Sequence, residues 1–235
     1  MDRRLFWQIG SDHATTSIGD HTLLVEFQQN ALVWSDPDNS NRLMQLMCDN
    51  GKAQIRTTHT RGAELIIAYD EIPAPSSSVE IRWRLMESSI KEVLWSVDWL
   101  ASMQTQTSGF RVGCKTRSKW DCDRVRIRTA EDGWMTLDGN LWTAAADLRA
   151  QAISMEFADR FCYLEYIWPA DYEGLRLEKL ASSVTLSWCL HQPHLEKGVI
   201  RRMRLGGCLL NAGFHQATAD ACYDRFLNSP VPITA

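Results

Sequence analysis

The stretch VLWSVDWLASM, residues 93–103, places Val93, Trp95, Val97, Trp99, Ala101 and Met103 on one side of an extended chain. Leu94, Ser96, Asp98, Leu100 and Ser102 fall on the other side. Side chains alternate across a strand with a period of two, so this is a long strand with one face made for a core. The same alternation recurs on either side of it. In SVEIRWRLM (78–86), Val79, Ile81, Trp83 and Leu85 oppose Glu80, Arg82 and Arg84. DRVRIRT (123–129) sets Val125 and Ile127 against Arg124, Arg126 and Arg128, and VTLSWCL (184–190) repeats the pattern with Val184, Leu186, Trp188 and Leu190. AELIIAYDE (63–71) is apolar on both faces, as a more central strand is.

Turn clusters separate these runs: SDPDNSN at 35–41, CDNGK at 48–52, PAPSSS at 73–78 and EDG at 131–133. Asn50 and Gly51, between LMQLMC and AQIRTT, predict a type I′ hairpin joining two adjacent antiparallel strands. A helix is predicted over ATADACYDRFLN (217–228), where Ala219, Cys222, Tyr223 and Phe226 recur at three-and-four spacing and Pro230 and Pro232 follow. WTAAADLRA (142–150) is a weaker helical candidate. The expectation is an all-β, mainly antiparallel fold, a β-sandwich or supersandwich with one short C-terminal helix, the incomplete barrel being the alternative. It forms a single domain over 1–235, with a weak boundary near 73–78.

A chain of 235 residues and 45% hydrophobic content buries a substantial core. Its net charge of -4 gives no global attraction for nucleic acid or anionic membrane, so neither is an expected partner. The uncharged stretch Leu180–Leu195 falls short of a spanning helix. The first sixteen residues match no secretory or transit signal, and the seven scattered cysteines contain no CxxC pair, which together predict a cytoplasmic protein with mostly reduced, buried thiols. Cys189 and Cys208 would bridge only if their strands pair.

The segment CLHQPHLEKGVIRRMRLGG (189–207) concentrates chemistry. His191, His194 and Glu196 offer two imidazoles and a carboxylate, a set that serves zinc or acid–base catalysis. Pro193 argues against one helical face, so no metal and no cofactor are expected, and a polar turn is the simpler reading. Arg202 and Arg204 share a strand face and can fork around an acidic ligand, or pair with carboxylates on neighbouring strands. Residues 109–128 hold seven basic side chains against Asp121 and Asp123, a local charge of +5, followed by nine acids over 131–173. The basic strand faces an anionic ligand, the acidic segment, or a partner copy in a homo-oligomer. Of ten tryptophans, Trp83, Trp95, Trp99 and Trp188 read as core. Trp34, Trp120, Trp134, Trp142 and Trp168 stand beside turns and aspartates, the arrangement by which sheets hold sugar rings.

The stretch LEKGVIRRMRLGG (195–207), followed by a short helix and the ending SPVPITA, resembles the signature of a family of uncharacterised bacterial proteins of about this size. That family has no assigned activity, so the resemblance implies neither substrate nor catalytic residues. It implies a recurrent C-terminal unit in which Lys197 and Gly198 shape the turn into the strand. The leading expectation is a non-catalytic binding or interaction module for an acidic or carbohydrate-like ligand, with Arg202, Arg204, Trp120 and Trp134 as ligand contacts. The alternative is a small enzyme acting on a sugar or sugar phosphate through His191, His194 and Glu196.

Overall fold

A computed structural model describes residues 5–18, 21–36, 39–48, 54–70, 77–107, 110–111, 114–138, 148–157, 160–190 and 194–231. In chain order the strands are β1 (Gln8–Ile9), β2 (His13–Ile18), β3 (His21–Glu26), β4 (Ala31–Asp36), β5 (Asn39–Cys48), β6 (Gln54–Arg61), β7 (Glu64–Asp70), β8 (Ser77–Leu85) and β9 (Val93–Thr105). They continue as β10 (Phe110–Arg111), β11 (Cys114–Asp121), β12 (Arg124–Thr129), β13 (Gly133–Thr136), β14 (Ala150–Phe157) and β15 (Phe161–Ile167). The last are β16 (Tyr172–Leu180), β17 (Ser183–Leu190), β18 (His194–Leu195) and β19 (Ile200–Leu210), before helix α1 (Gln216–Asn228).

Two large antiparallel sheets form, as the alternation predicts. The first has the order β1-β2-β3-β4-β5-β11-β17-β16 and the second β13-β12-β14-β15-β19-β9-β8-β7-β6, with β10 and β18 paired separately. Their apolar faces meet in one continuous core that runs from Trp7 to Leu209. The stretch 93–103 lies at the centre of the second sheet, where Trp95, Val97, Trp99, Ala101 and Met103 all point into that core. A register shift between Leu209 and Leu210 rotates the start of β9, so Val93 packs toward the helix and Leu94 inward.

Helix α1 covers the outer face of the second sheet. Its buried residues are Ala219, Cys222, Tyr223 and Phe226, the four that the helical spacing predicts. They pack on Ala152, Cys162, Leu164, Tyr166, Cys208 and Leu210. The paired glycines of RLGG make this possible. A Cβ at Gly206 would stand 2.7 Å from the rings of both Phe226 and Tyr166, and one at Gly207 would stand 2.9 Å from the Tyr163 hydroxyl. Gly206 thus leaves room for the helix on one face, and Gly207 leaves room for a core tyrosine on the other. Upstream, Gly198 at φ +80 occupies the third position of a turn closed by the Val199 N–H donating to the Glu196 carbonyl at 3.1 Å. That position of a type II turn requires positive φ, which glycine adopts without strain.

One sequence expectation, the Asn50–Gly51 hairpin, is corrected. Asn50–Gly51 lies outside the described residues, but the strands it was expected to pair belong to different sheets: β5 pairs with β4 and β11, and β6 pairs with β7. The connection is therefore a crossover between the sheets. The helical candidate at 142–150 is described only from 148, and Ala150 already begins β14. Cys189 and Cys208 sit in different sheets, and none of the seven cysteines is in a disulfide. Of the proposed boundary, 73–76 lies outside the described residues, while the strands on either side of it, β7 and β8, pair with each other. Among the described residues no helix is long and apolar enough to cross a membrane.

One polar residue sits in the middle of the core. Glu165 is 0% exposed and lies on the inward face of β15 among Phe161, Tyr163 and Ile167. Ser118 Oγ donates to its Oε2 at 2.6 Å, the Tyr163 hydroxyl donates to the same oxygen at 2.8 Å, and Trp188 Nε1 donates to Oε1 at 2.9 Å. Ser118 and Trp188 belong to the first sheet, so the carboxyl group ties the two sheets together. Burial pushes its pKa up to about 7, although the three donors pull the other way. The sign of the consequence follows by linkage. Between the ordinary value of 4.5 and about 7 the folded chain holds a proton that the unfolded chain has released. Stability therefore falls as pH rises through that window, by roughly 3 kcal/mol in total, and levels off above it. Glu165→Gln has no such proton to lose. Urea unfolding of both proteins from pH 4.5 to 8 is expected to give a stability difference that changes with pH only across this window, and a pH-independent difference contradicts the assignment. Gly206→Ala is expected to lower stability by about 1–3 kcal/mol through overpacking against Tyr166 and Phe226, measured as a fall in the urea midpoint.

Candidate functional site

The basic segment divides between the two sheets. β12 lies in the second sheet, and its arginines are engaged at the base of the helix. Arg126 pairs with Glu156 and stacks over Phe214 at 4.4 Å. Arg128 meets Asp220 at 3.0 Å and Gln151, and stacks over Tyr223 at 4.8 Å. Arg124 approaches Glu156 at 3.9 Å. This half of the segment is engaged in packing and ion pairs, with Glu156 of the acidic segment and Asp220 of the helix as partners.

β11 lies in the first sheet, where Cys114, Thr116, Ser118 and Trp120 point inward and Lys115, Arg117, Lys119 and Asp121 outward. Among the described residues, Lys115, Arg117 and Lys119 have no carboxylate within ion-pairing distance of 4.0 Å. Beside them, β5 contributes Arg42 opposite Lys119 and Gln45 opposite Arg117. Residues three apart on a regular strand face opposite ways, yet Arg42 and Gln45 lie on the same side. A bulge explains this: Leu43 and Met44 together stand opposite Ser118, and Met44 adopts φ 51. The bulge leaves the Met44 N–H free of the ladder, and it donates to Ser118 Oγ at 2.7 Å. Ser118 in turn donates to Glu165. The buried carboxyl group therefore holds the bulge, and the bulge presents Arg42 and Gln45 outward.

The result is a concavity of about 380 Å³ on the outer face, lined by Asn41, Arg42, Gln45, Arg117, Lys119, Trp120 and Asp121. It carries three cations, two amides and one carboxylate. Arg42 is shared with Glu26 at 3.4 Å. Fixed guanidinium and ammonium donors suit carboxylate or sulfate oxygens, amides suit hydroxyls, and the Asp121 carboxylate accepts from a hydroxyl.

The other candidates fare differently. Arg204 is 2% exposed and is bound bidentately by Asp98, with Nε to Oδ1 and Nη2 to Oδ2 both 2.9 Å. It also donates to Ser229 and stacks over Phe226 at 4.4 Å, clasping the end of α1 to the sheet. It is thus not available for a ligand fork with Arg202, which is exposed. Trp120 is 1% exposed and stacked between Trp34 and Tyr163, at 5.2 Å from each. It bounds the floor of the concavity but offers no aromatic plane to solvent. Trp134 is half-buried, donating to Asp220 at 2.9 Å and packing edge-on to Phe214. Trp168 lies against Phe226 and Arg204, and Trp142 lies outside the described residues. The described tryptophans beside the turns, Trp34, Trp120, Trp134 and Trp168, all pack against other rings.

His191 lies outside the described residues, His194 is placed only as a strand residue opposite Arg111, and Glu196 is exposed. Among the described residues no group of three histidine, cysteine or carboxylate side chains is placed to hold a metal ion. Sequence reading named the β11 cations but missed Asn41, Arg42 and Gln45, which lie some seventy positions away and are brought in by sheet pairing alone.

No protein-family model and no curated protein matches the chain. Solved structures share its fold. An α-N-acetylgalactosaminidase from Bifidobacterium bifidum superposes with TM-score 0.61 at 13% identity, over 91% of this chain and 38% of that one. A heparan sulfate lyase from Pedobacter heparinus superposes with TM-score 0.55 at 7% identity, over 90% of this chain and 37% of that one. The chain thus spans less than two fifths of the length of either neighbour, and the likeness is one of fold: a two-sheet sandwich found within carbohydrate-active proteins.

Arg204→Ala is expected to destabilise the protein by about 3–5 kcal/mol, because it leaves the buried Asp98 carboxylate with Arg84 as its one ion-pair partner among the described residues. A urea midpoint that moves by less than a quarter of that would show the clasp to be incidental.

Proposed function

We propose that this chain recognises an anionic saccharide on the outer face of its first sheet. The observation that carries the reading is the contrast along one segment: the arginines of β12 are paired with carboxylates, whereas Arg117 and Lys119 of β11 have no ion-pair partner among the described residues and line a concavity. Exposed cations are ordinary on a protein surface, and what sets these apart is the hollow they share with amides and a carboxylate. Cations left facing solvent in a hollow, with amides between them, make a receptor for acidic and hydroxyl groups together. The volume of about 380 Å³ falls within the range of small-ligand sites, roughly 300–1,000 Å³. Carbohydrate-active proteins among the neighbours of the same fold support the sugar half of the reading. Recognition is favoured over catalysis because Glu196 is exposed and the concavity holds a single carboxylate, Asp121.

Calorimetric titration with uronate-containing and sulfated oligosaccharides, each beside its neutral counterpart, tests this. The acidic members are expected to bind and the neutral ones to bind at least ~10-fold more weakly. The Arg117→Ala, Lys119→Ala double variant is expected to lose at least ~10-fold, since a charge-assisted hydrogen bond contributes about 1.5–3 kcal/mol. Arg56→Ala, on the far edge of the second sheet, leaves binding unchanged. Equal affinity for neutral and acidic sugars, or an unaffected double variant, contradicts the proposal.

A further inference from the structure

Three sulfur atoms converge at one end of the sandwich, apart from the saccharide groove. Cys48, the last residue of β5, stands directly opposite Cys114, the first of β11. Their Sγ atoms are 3.4 Å apart, and Cys114 Sγ lies 3.5 Å from Met103 Sδ, which reaches it from β9 of the second sheet. Cys114 and Met103 are each 3% exposed, while Cys48 is half-buried and gives access from solvent. The cluster joins both sheets, with the Cys114 sulfur in contact with a second thiol on one side and a thioether on the other.

We propose that Cys48, Cys114 and Met103 form a three-sulfur site for a soft monovalent cation, with copper(I) as the ion the donor set fits. Thiolates and thioethers select copper(I), whereas harder divalent ions need imidazole or carboxylate oxygen. Three sulfurs bound at about 2.3 Å in a plane stand about 4 Å from one another. The observed separations of 3.4 and 3.5 Å reach that arrangement by opening about half an ångström. Binding displaces the two thiol protons to solvent, forms two metal–thiolate bonds and one thioether bond, and transfers no electrons. The half-buried position of Cys48 lets the ion enter, and the buried partners then shield it from water.

The test uses the full chain, reduced and anaerobic, titrated with copper(I) against a chromogenic copper(I) chelator. One equivalent is expected to be held by the wild type. Cys48→Ser, at a strand end and half-buried, is expected to hold none. Met103→Leu, nearly equal in volume, keeps the fold, as far-ultraviolet circular dichroism checks. It is expected to weaken binding at least ~10-fold, since even outer-sphere partners of metal sites contribute about 10–100-fold. Cys189→Ser, on the outer face of β17, is expected to bind as the wild type does. Equal copper retention by wild type and Cys48→Ser, or an affinity in Met103→Leu equal to that of the wild type, overturns the proposal.

Discussion

The hydrogen-bonded carboxyl group of Glu165 is the constraint on which the arrangement turns. A carboxyl group with no solvent exposure persists only where its oxygens are satisfied, and here three donors from both sheets converge on it. One of those donors, Ser118, also accepts the backbone N–H that a bulge at Met44 releases. The chain of contacts from Glu165 through Ser118 to Met44 fixes how β5 lies against β11. It therefore fixes which side chains of β5 face outward, and with them half of the candidate binding surface. A sandwich core built only of apolar residues would hold the sheets together without specifying this register.

The same logic organises the outer faces. On the second sheet, charged residues are drawn into the packing of a helix: Arg204 on Asp98 and Ser229, Arg128 on Asp220, Arg126 on Glu156. Gly206 and Gly207 open the space that this helix and Tyr163 occupy. On the first sheet no helix among the described residues covers the centre, and Arg117 and Lys119 are exposed. A single run of basic residues thus has two fates, decided by which sheet each half enters at the Asp121–Arg124 crossing.

Much of this was legible in the sequence, for physical reasons. Period-two alternation at 78–86, 93–103 and 184–190 reports burial of one strand face, and apart from Val93 the residues it selects are buried, although Arg82, Asp98, Leu100 and Ser187 of the opposite face are buried as well. The spacing of Ala219, Cys222, Tyr223 and Phe226 reports one buried helix face in the same way. Sheet assignment was not legible, because Asn50 and Gly51 signal a turn without specifying whether the strands it joins pair. The bulge at Met44 was hidden too, since it depends on a serine seventy-four residues later. Glu165 carried a local signal: in FCYLEYI a charge stands at a position that alternation assigns to the core. The tryptophans beside turns misled, because exposure of a large ring depends on what the rest of the chain stacks on it, as Trp34 and Tyr163 do on Trp120.

The central claim is that the outer face of the first sheet is the recognition surface. Amide chemical-shift mapping by nuclear magnetic resonance, during addition of an acidic oligosaccharide, tests it most directly. The account predicts perturbations concentrated at Arg42, Gln45, Arg117, Lys119 and Asp121 and on the adjoining strand β17. Perturbations confined to the helix-covered face of the second sheet, around Trp134 and Arg202, would contradict it.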